Sequence, residues 1–271
     1  MEAALQRRVQ RYGWDKAAAY YEAFWHDQLK PAQDILLQMA DLQAGESVLD
    51  IACGTGLVSF EALKKLGEKG RLLGADISDK MVETASALAA EKGENRVRFE
   101  RMDAEELNVE DNSFDVALCA LGLMYVPDPG KALKEMHRVL KPGGRVVAAV
   151  WGQRTNCGWA DIFEIVDRHV ASEVCPMFFN LGNADMLKLH LQEAGFENIE
   201  VRRISSPLIY KNASEALGAA FEGGPVALAY HKFSDEVKQE VHADYLASVN
   251  PYKKGNGYEV PGEFVIARGT C

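Results

Sequence analysis

One short segment restricts the possible folds of this chain more than any other. The apolar run Ser47–Ala52 has the length of a strand and is followed at once by Cys-Gly-Thr-Gly. Apolar residues then recur at helical spacing over 57–66, which predicts a strand, a glycine-rich turn and a helix in direct succession. Such a turn lets backbone N–H groups approach a ligand, and the helix directs its positive end toward it. We therefore expect a ligand site at this turn.

The same alternation of strand and helix continues along the chain. Strand-length apolar runs and helical patterns follow each other at residues 47–52, 57–66, 71–77, 78–92, 97–102, 114–121, 131–140 and 145–151. Strands that alternate with helices form a parallel sheet with right-handed crossovers. The run at 114–121 is apolar almost throughout, which is typical of a strand buried on both faces. This part of the chain is therefore predicted to be an α/β sheet.

The flanking regions are predicted to be mainly helical. Before the sheet we expect one helix that ends at Pro31 and a second over 32–41. Three domains or regions are predicted: an N-terminal helical cap at 1–45, a core at 46–151, and a remainder at 152–271. The patterns predict irregular and helical cap material over 152–182, a helix at 184–194, a strand at 199–210, broken helices over 214–249 and a last strand at 258–268. The helices of 214–249 would form a lid inserted before the last strand.

Composition excludes several functions. The net charge of -10 argues against nucleic acid as the main partner, because phosphate binding requires a basic surface. Five widely spaced cysteines contain no CxxC pair, and no acidic cluster marks a metal site. No signal peptide and no apolar stretch of about 20 residues is found, so we expect no membrane span and a cytoplasmic, reduced location.

Acidic residues follow the second and third strands. Asp76 ends the second strand, 20 residues after Gly56, and can accept hydrogen bonds from the hydroxyls of a ribose. Asp103 closes the third strand and can accept from an adenine amino group. These strand ends meet at one sheet edge, so they fit a single adenosine ligand. Ser59 stands where a dinucleotide fingerprint would need its third glycine, which argues against an oxidoreductase.

As a set, these segments resemble a known family. The successive motifs are Val48-Leu-Asp-Ile-Ala-Cys-Gly-Thr-Gly56, Gly74-Ala-Asp-Ile-Ser78, Met102-Asp-Ala-Glu-Glu-Leu107, Ser113-Phe-Asp-Val-Ala-Leu-Cys119 and Arg138-Val-Leu-Lys-Pro-Gly-Gly144. They resemble the class I S-adenosylmethionine-dependent methyltransferases, most of all those of ubiquinone and menaquinone biosynthesis. The resemblance implies a Rossmann-like, doubly wound, mostly parallel seven-stranded sheet with an antiparallel last strand.

The resemblance also implies a set of residues that bind S-adenosylmethionine. Gly54, Gly56 and Asp50 would lie at the methionine end. Asp76 would hold the ribose, with the adenine between the residues Ile77, Met81, Asp103 and Ala104, and Ala120 would lie under the sulfonium. Aromatic residues of the N-terminal helix would cover the cofactor, and Tyr21 and Trp25 are the candidates. An aromatic stripe that faces the core is the alternative for these two.

The expected chemistry is an in-line methyl transfer, in which the protein positions the nucleophile and excludes water. If a general base is needed, His26 and Tyr125 are the catalytic candidates, and His231 and Tyr252 are weaker ones. The acceptor is expected to be a small, partly apolar molecule. Its pocket would come mostly from 152–182 and 211–257, with the aromatic residues Trp159, Phe163, Phe178, Phe179, Phe221, Tyr230, Phe233 and Tyr245, although packing is the expected use of most of them.

Two other classes of function stay open at this point. One is another Rossmann-like enzyme, either an aminopropyltransferase or a nucleotide-dependent oxidoreductase. The other is a non-catalytic module that binds S-adenosylmethionine. The sequence does not decide whether oxygen, nitrogen, carbon or sulfur is methylated, and it allows a monomer or a homodimer.

Overall fold

The computed structural model describes residues 2–171, Cys175 and 177–271. Parts of the predicted cap at 152–182 (172–174 and 176) therefore lie outside the described residues. The helices are α1 Ala3–Ala40, α2 Leu57–Leu66, α3 Asp79–Glu91, α4 Pro129–Val139, α5 Asp161–Asp167, α6 Met186–Glu193, α7 Ala213–Leu217, α8 Ala227–Tyr230 and α9 Asp235–Val249. The strands are β1 Ser47–Ile51, β2 Arg71–Asp76, β3 Val97–Arg101, β4 Phe114–Ala120, β5 Leu140–Trp151, β6 Glu197–Ser205, β7 Leu208–Tyr210, β8 Lys253–Lys254, β9 Gly257–Val260 and β10 Glu263–Thr270.

Seven strands form the central sheet in the order β3-β2-β1-β4-β5-β10-β6. β1 to β5 pair in parallel, whereas β10 is antiparallel to both β5 and β6. In β4, Val116, Ala117 and Leu118 are fully buried, as a strand covered on both faces requires. The predicted Rossmann-like sheet with an antiparallel last strand is confirmed. The order changes direction between β1 and β4, where ligands of such sheets bind.

The N-terminal segment is one helix of 38 residues, so the prediction of two helices is wrong. Pro31 lies inside α1 and has no N–H to donate to the preceding turn, a loss that normally ends or kinks a helix. The buried residues Trp25, Leu29, Ala32 and Leu36 form one stripe that passes through the proline without a break. Packing of this stripe against the core outweighs the missing hydrogen bond, because tertiary burial supplies most helical stability.

β5 begins five residues earlier than the sequence predicts. It includes Lys-Pro-Gly-Gly, which forms a bulge, since Leu140 pairs with Phe114 while Arg145 already pairs with Val116. Gly143 supplies a positive φ of 78° that favours glycine. The glycines that mark a loop in the sequence therefore make an irregular strand.

Two other predicted strands are each divided by a proline. The run 199–210 forms β6 and β7, which belong to different sheets, because Pro207 cannot continue the ladder. The run 258–268 is likewise divided into β9 and β10 at Pro261.

The lid, residues 206–262, is inserted between β6 and β10. It contains α7, α8 and α9 together with a small sheet of order β7-β9-β8. A π-helical turn at Gly218–Glu222 and α8 pack against α1. Gly218 lies so close to Phe24 that a side chain there would collide with its ring.

In the described part of the chain, no helix has the length and apolar character needed to span a membrane. The proposed division at residues 45 and 151 stays a prediction.

Candidate functional site

A cavity of about 750 Å³ lies at the carboxyl ends of β1, β2 and β4, under the first half of α1. Its lining comes from five segments of the chain. The residues are Arg7, Gln10, Trp14 and Tyr21 of α1; Ile51, Ala52 and Gly54; Ala75, Asp76, Ile77 and Met81; Met102, Asp103 and Ala104; and Ala120, Leu121, Gly122, Tyr125, Val126 and Pro127. The structure therefore brings the predicted glycine turn and both acidic strand ends to one cavity.

The glycine turn is fixed to the end of β2 by Asp76. The N–H of Gly54 donates to Asp76 Oδ2 over 2.9 Å, and the N–H of Ser78 donates to Asp76 Oδ1 over 2.9 Å. Gly54 has a φ of 55°, and the position of its missing Cβ is 3.7 Å from Tyr21 Cε1. The space in front of this turn is therefore open for a ligand because residue 54 has no side chain.

Two buried carboxyl groups lie beside the turn. Asp50 is 1% exposed, and burial raises its pKa to about 7 although Ser59 Oγ donates to its Oδ2 over 2.5 Å. Its other oxygen, Oδ1, has no hydrogen-bond partner among the described residues. Burial likewise raises the pKa of Asp76 to about 6. A buried acidic oxygen that lacks a donor among the described residues thus lies beside the glycine turn.

At the other end of the cavity Asp103 is held by one hydrogen bond and one ion pair. The N–H of Glu105 donates to Asp103 Oδ1 over 2.9 Å, and Arg7 Nε lies 2.9 Å from Asp103 Oδ2. Ile77, Met81 and Ala104 line the same end. This end of the cavity therefore combines apolar side chains with a carboxylate that can accept hydrogen bonds.

Two predicted cofactor residues, Gly56 and Asp50, are outside the lining of the cavity. Gly56 is the N-cap of α2 with a φ of 91°, and a Cβ there would lie 2.8 Å from Phe60 Cε2. The backbone at the cavity is otherwise unusual, since Ala52 and Leu121 adopt positive φ values of 55° and 63°. Non-glycine residues in this conformation are uncommon and concentrate at functional sites.

Three aromatic rings form one wall of the cavity, which we call the aromatic wall. Trp14 makes edge contacts with Tyr21, at 5.8 Å between ring centroids, and with Tyr125, at 5.1 Å. No hydrogen bond joins the indole N–H or either hydroxyl to another described residue. Burial raises the pKa of Tyr21 and that of Tyr125 above the usual phenol range. The aromatic wall therefore presents neutral hydrogen-bond donors to the cavity.

Sequence reasoning missed Arg7, Gln10 and Trp14. These residues and Tyr21 recur at helical spacing on one face of α1. The spacing is visible in the sequence, but several faces of this helix show a similar mixture of aromatic and polar residues.

The structure places Trp25 and His26 away from the cavity. Trp25 is buried with its ring 6.2 Å from that of Trp151, so the alternative of a core-facing aromatic residue is the one observed. The side chain of His26 is 56% exposed and its Nδ1 is 2.8 Å from Asp27 Oδ1. Trp25 lies on the same face of α1 as Tyr21, about 6 Å further along the helix, beyond the lining residues of the cavity, whereas His26 projects about 140° away from Tyr21. Neither residue is among those that line the cavity, so the structure gives no support to Trp25 as a cover of the cofactor or to His26 as a general base.

The cavity also takes none of its lining from the lid or from the described residues of 152–182, where the acceptor pocket was expected. None of the eight aromatic candidates is among the described lining residues. They pack instead in two groups, Trp159 with Phe163, Phe178 and Phe179, and Phe221 with Tyr230 and Tyr245, while Phe233 contacts Tyr230. Phe178 also contacts Tyr125 at 5.3 Å between ring centroids, so the first group supports the aromatic wall from behind.

The cavity fits S-adenosylmethionine in its donor and acceptor groups. The unpartnered oxygen of Asp50 suits an ammonium group, and Asp76 and Asp103 suit hydroxyl and amino donors. The missing side chain of Gly54 leaves the space that a ligand needs. No group of three potential metal ligands occurs among the described residues.

Comparison with known proteins agrees with this fit. Residues 42–172 match a family model described as a methyltransferase domain. The demethylmenaquinone methyltransferase of Staphylococcus aureus is 36% identical over 175 residues, which cover 59% of this chain and 72% of that protein.

Solved structures show the same fold. A phosphoethanolamine N-methyltransferase 2 of Haemonchus contortus, solved with S-adenosylmethionine, matches with a TM-score of 0.62 at 19% identity, over 94% of this chain and 57% of that one. The [4+2]-cyclase SpnF matches with a TM-score of 0.56 at 23% identity, over 88% and 80% of the two chains. The fold alone thus does not define the reaction. The sequence relationship to the Staphylococcus aureus enzyme shows the family. The chain belongs to the class I S-adenosylmethionine-dependent methyltransferases.

Proposed function

We propose that this enzyme transfers the methyl group of S-adenosylmethionine to a small, partly apolar molecule by in-line displacement. One observation supports this most directly. The lining of one cavity combines acidic side chains at the ends of β2 and β3 with the aromatic wall and with Ala120 at the end of β4. The acidic side chains suit adenosine, and the aromatic rings suit a planar, apolar acceptor.

The cofactor would extend along the carboxyl edge of the sheet. Gly54 and Asp50 would hold its methionine end, and Asp76 would accept from the ribose hydroxyls. Ile77, Met81 and Ala104 would contact the adenine faces, with Asp103 at the adenine amino group. Ala120 would form the floor below the sulfonium, and Tyr21 would cover it. When bound, the cofactor supplies an activated methyl group.

Asp76→Ala should weaken binding of S-adenosylmethionine by about 10- to 100-fold, because hydrogen bonds to a charged group contribute about 1.5–3 kcal/mol. The same change frees the N–H of Gly54, so the turn also loses its attachment. Calorimetric titration with S-adenosylmethionine and S-adenosylhomocysteine measures the effect. Asp111→Ala, at an exposed carboxylate paired with Arg138, is the control. Unchanged affinity in Asp76→Ala would contradict our placement of the ribose.

The protein's own residues position the acceptor and exclude water. The raised pKa of Tyr125 means that its hydroxyl keeps its proton at neutral pH, so it orients an acceptor oxygen by donating to it instead of acting as a base. The aromatic faces also favour the cationic sulfonium. A hydroxylated aromatic or quinone-type acceptor fits these donors, and the name of the Staphylococcus aureus relative points to the same class. The predicted cytoplasmic location and the monomer or homodimer stay predictions.

Transfer of a labelled methyl group from S-adenosylmethionine to a panel of acceptors tests this function. We expect transfer to 2-naphthol or 1,4-naphthohydroquinone, and none to total RNA. Tyr125→Phe should lower kcat/KM about tenfold by removal of one hydrogen bond, with unchanged affinity for S-adenosylhomocysteine. Tyr12→Phe, at an exposed position of α1, is the matched control. Methyl transfer to RNA alone would refute a small-molecule acceptor.

A further inference from the structure

Arg7 is the one cationic side chain among the described residues that line the cavity. Its guanidinium reaches two carboxylates at once. Nε lies 2.9 Å from Asp103 Oδ2 and donates to Glu105 Oε2 over 2.8 Å, and Nη2 lies 2.6 Å from Glu105 Oε2. Arg7 is on α1, whereas both carboxylates follow β3. The side chain thus joins the covering helix to the end of the cavity that holds Asp103.

Glu105 holds the Arg7 guanidinium in place. Its side chain is 1% exposed, and its Oε1 accepts from the N–H of Asp128 over 3.1 Å. A buried carboxylate is costly unless it is paired, and Arg7 provides the counter-charge. Because Glu105 is fixed from two sides, it in turn fixes the guanidinium that faces Asp103.

Asp103 keeps the capacity to accept further hydrogen bonds. A carboxylate offers about four lone-pair sites. Glu105 N–H occupies one site on Oδ1, and Arg7 Nε forms an ion pair with Oδ2 at 2.9 Å. At least one site on each oxygen stays free, and the hydrogen bond and the ion pair together set the orientation of the carboxylate.

We propose that Arg7 is a positioning residue, which holds Asp103 in the orientation that accepts a hydrogen bond from the adenine amino group. The inference rests on the proposed placement of adenine at Asp103. It implies that selection of adenine requires α1 to be in place, although Arg7 is outside every motif of the family resemblance.

Other contacts keep α1 in place without Arg7. Arg11 pairs with Asp79, Ser78 Oγ donates to Asp15 Oδ1 over 2.6 Å, and Gln6 Nε2 donates to the carbonyl of Tyr125 over 3.2 Å. Removal of Arg7 should therefore leave the helix docked and release the Asp103 carboxylate. A specific loss of adenine selection is then separable from general loss of structure.

The test compares the affinities of two ligands, S-adenosylhomocysteine and S-inosylhomocysteine, in which an oxygen replaces the adenine amino group. Wild-type protein should prefer the first. In Arg7→Ala this preference should fall about tenfold, through weaker binding of S-adenosylhomocysteine alone, since one oriented hydrogen bond to a charged acceptor is lost. Arg7→Lys should restore part of the preference. Arg8→Ala, at the exposed neighbouring arginine, should leave it unchanged.

The outcomes separate this inference from the proposed function. If Arg7→Ala weakens both ligands equally, or neither, Arg7 is a structural residue and the inference fails while the cofactor placement stands. If the wild-type protein binds both ligands equally, the placement of adenine at Asp103 fails, and the inference fails with it. Thermal unfolding of each variant shows whether it is folded at the temperature at which its affinities are measured.

Discussion

Replacement of Gly54 by leucine is expected to abolish cofactor binding while the protein stays folded. Residue 54 has a φ of 55°, and a Cβ there would lie 3.7 Å from Tyr21 Cε1. A larger side chain would therefore fill part of the cavity. We expect S-adenosylmethionine affinity to fall at least ~100-fold, equivalent to about 2.7 kcal/mol. The positive φ adds a cost of about 1–2 kcal/mol to folding. Calorimetry and thermal unfolding measure the two effects separately.

Gly93→Leu is the matched control for this experiment. Gly93 has a φ of 64°, close to that of Gly54, but its missing Cβ has no atom within 4 Å. Its substitution should cost similar stability and leave binding unchanged. Equal affinity of the Gly54 variant and the Gly93 variant would show that the turn does not border the cofactor.

Asp50→Asn is expected to stabilise the ligand-free protein above neutral pH. Burial raises the pKa of Asp50 from 3.8 to about 7, so the folded state prefers the protonated acid. Wild-type stability should therefore decrease as pH rises from about 4 to about 7, by about 2–4 kcal/mol from this group, because one pKa unit corresponds to about 1.4 kcal/mol. Asparagine does not titrate and can still accept from Ser59 Oγ. The variant should lose less stability over this range.

Chemical unfolding at pH 4, 6 and 8 measures this difference. Asp34→Asn, at an exposed carboxylate paired with Lys30, is the control and should change stability by less than about 0.5 kcal/mol. Parallel pH profiles of the wild type and Asp50→Asn would exclude a buried titrating group at this position. The same variant should bind S-adenosylmethionine more weakly, because the ammonium of the methionine end loses its counter-charge.

The sheet and the acidic end of the cavity follow from local sequence. The order of strand, glycine turn and helix at 47–66 leaves few alternatives, and parallel strands bring their carboxyl ends to one edge. Gly54, Asp76 and Asp103 can therefore be placed together from the amino-acid sequence alone. The partners of these side chains cannot be placed in this way, because Asp76 accepts from backbone N–H groups and Asp103 forms an ion pair with Arg7, on a helix far earlier in the chain.

The incorrect predictions concern features that depend on long-range packing. Pro31 would end an isolated helix, but the buried stripe on both sides of it continues against the core. Trp14, Tyr21 and Trp25 share one face of α1, and nothing local decides which part of its length meets the cavity, so the sequence favours Trp25 there and gives no signal for Trp14. The aromatic residues of 152–182 and the lid form clusters with each other, and only tertiary structure distinguishes such clusters from a pocket wall.

The continuity of α1 has a consequence for how this enzyme tolerates changes of length. Each residue in a helix turns its successor by about 100° and advances it by about 1.5 Å. Since Trp25 and Leu29 are anchored in the core, their rotational phase sets the direction of Trp14 and Arg7. Insertion or deletion of one residue between Tyr21 and Trp25 would turn the whole cavity-facing half of the helix away from the sheet. The number of residues between Trp14 of the aromatic wall and Trp25 in the core is therefore fixed by the structure. We expect this spacing to tolerate change as poorly as the identity of the site residues.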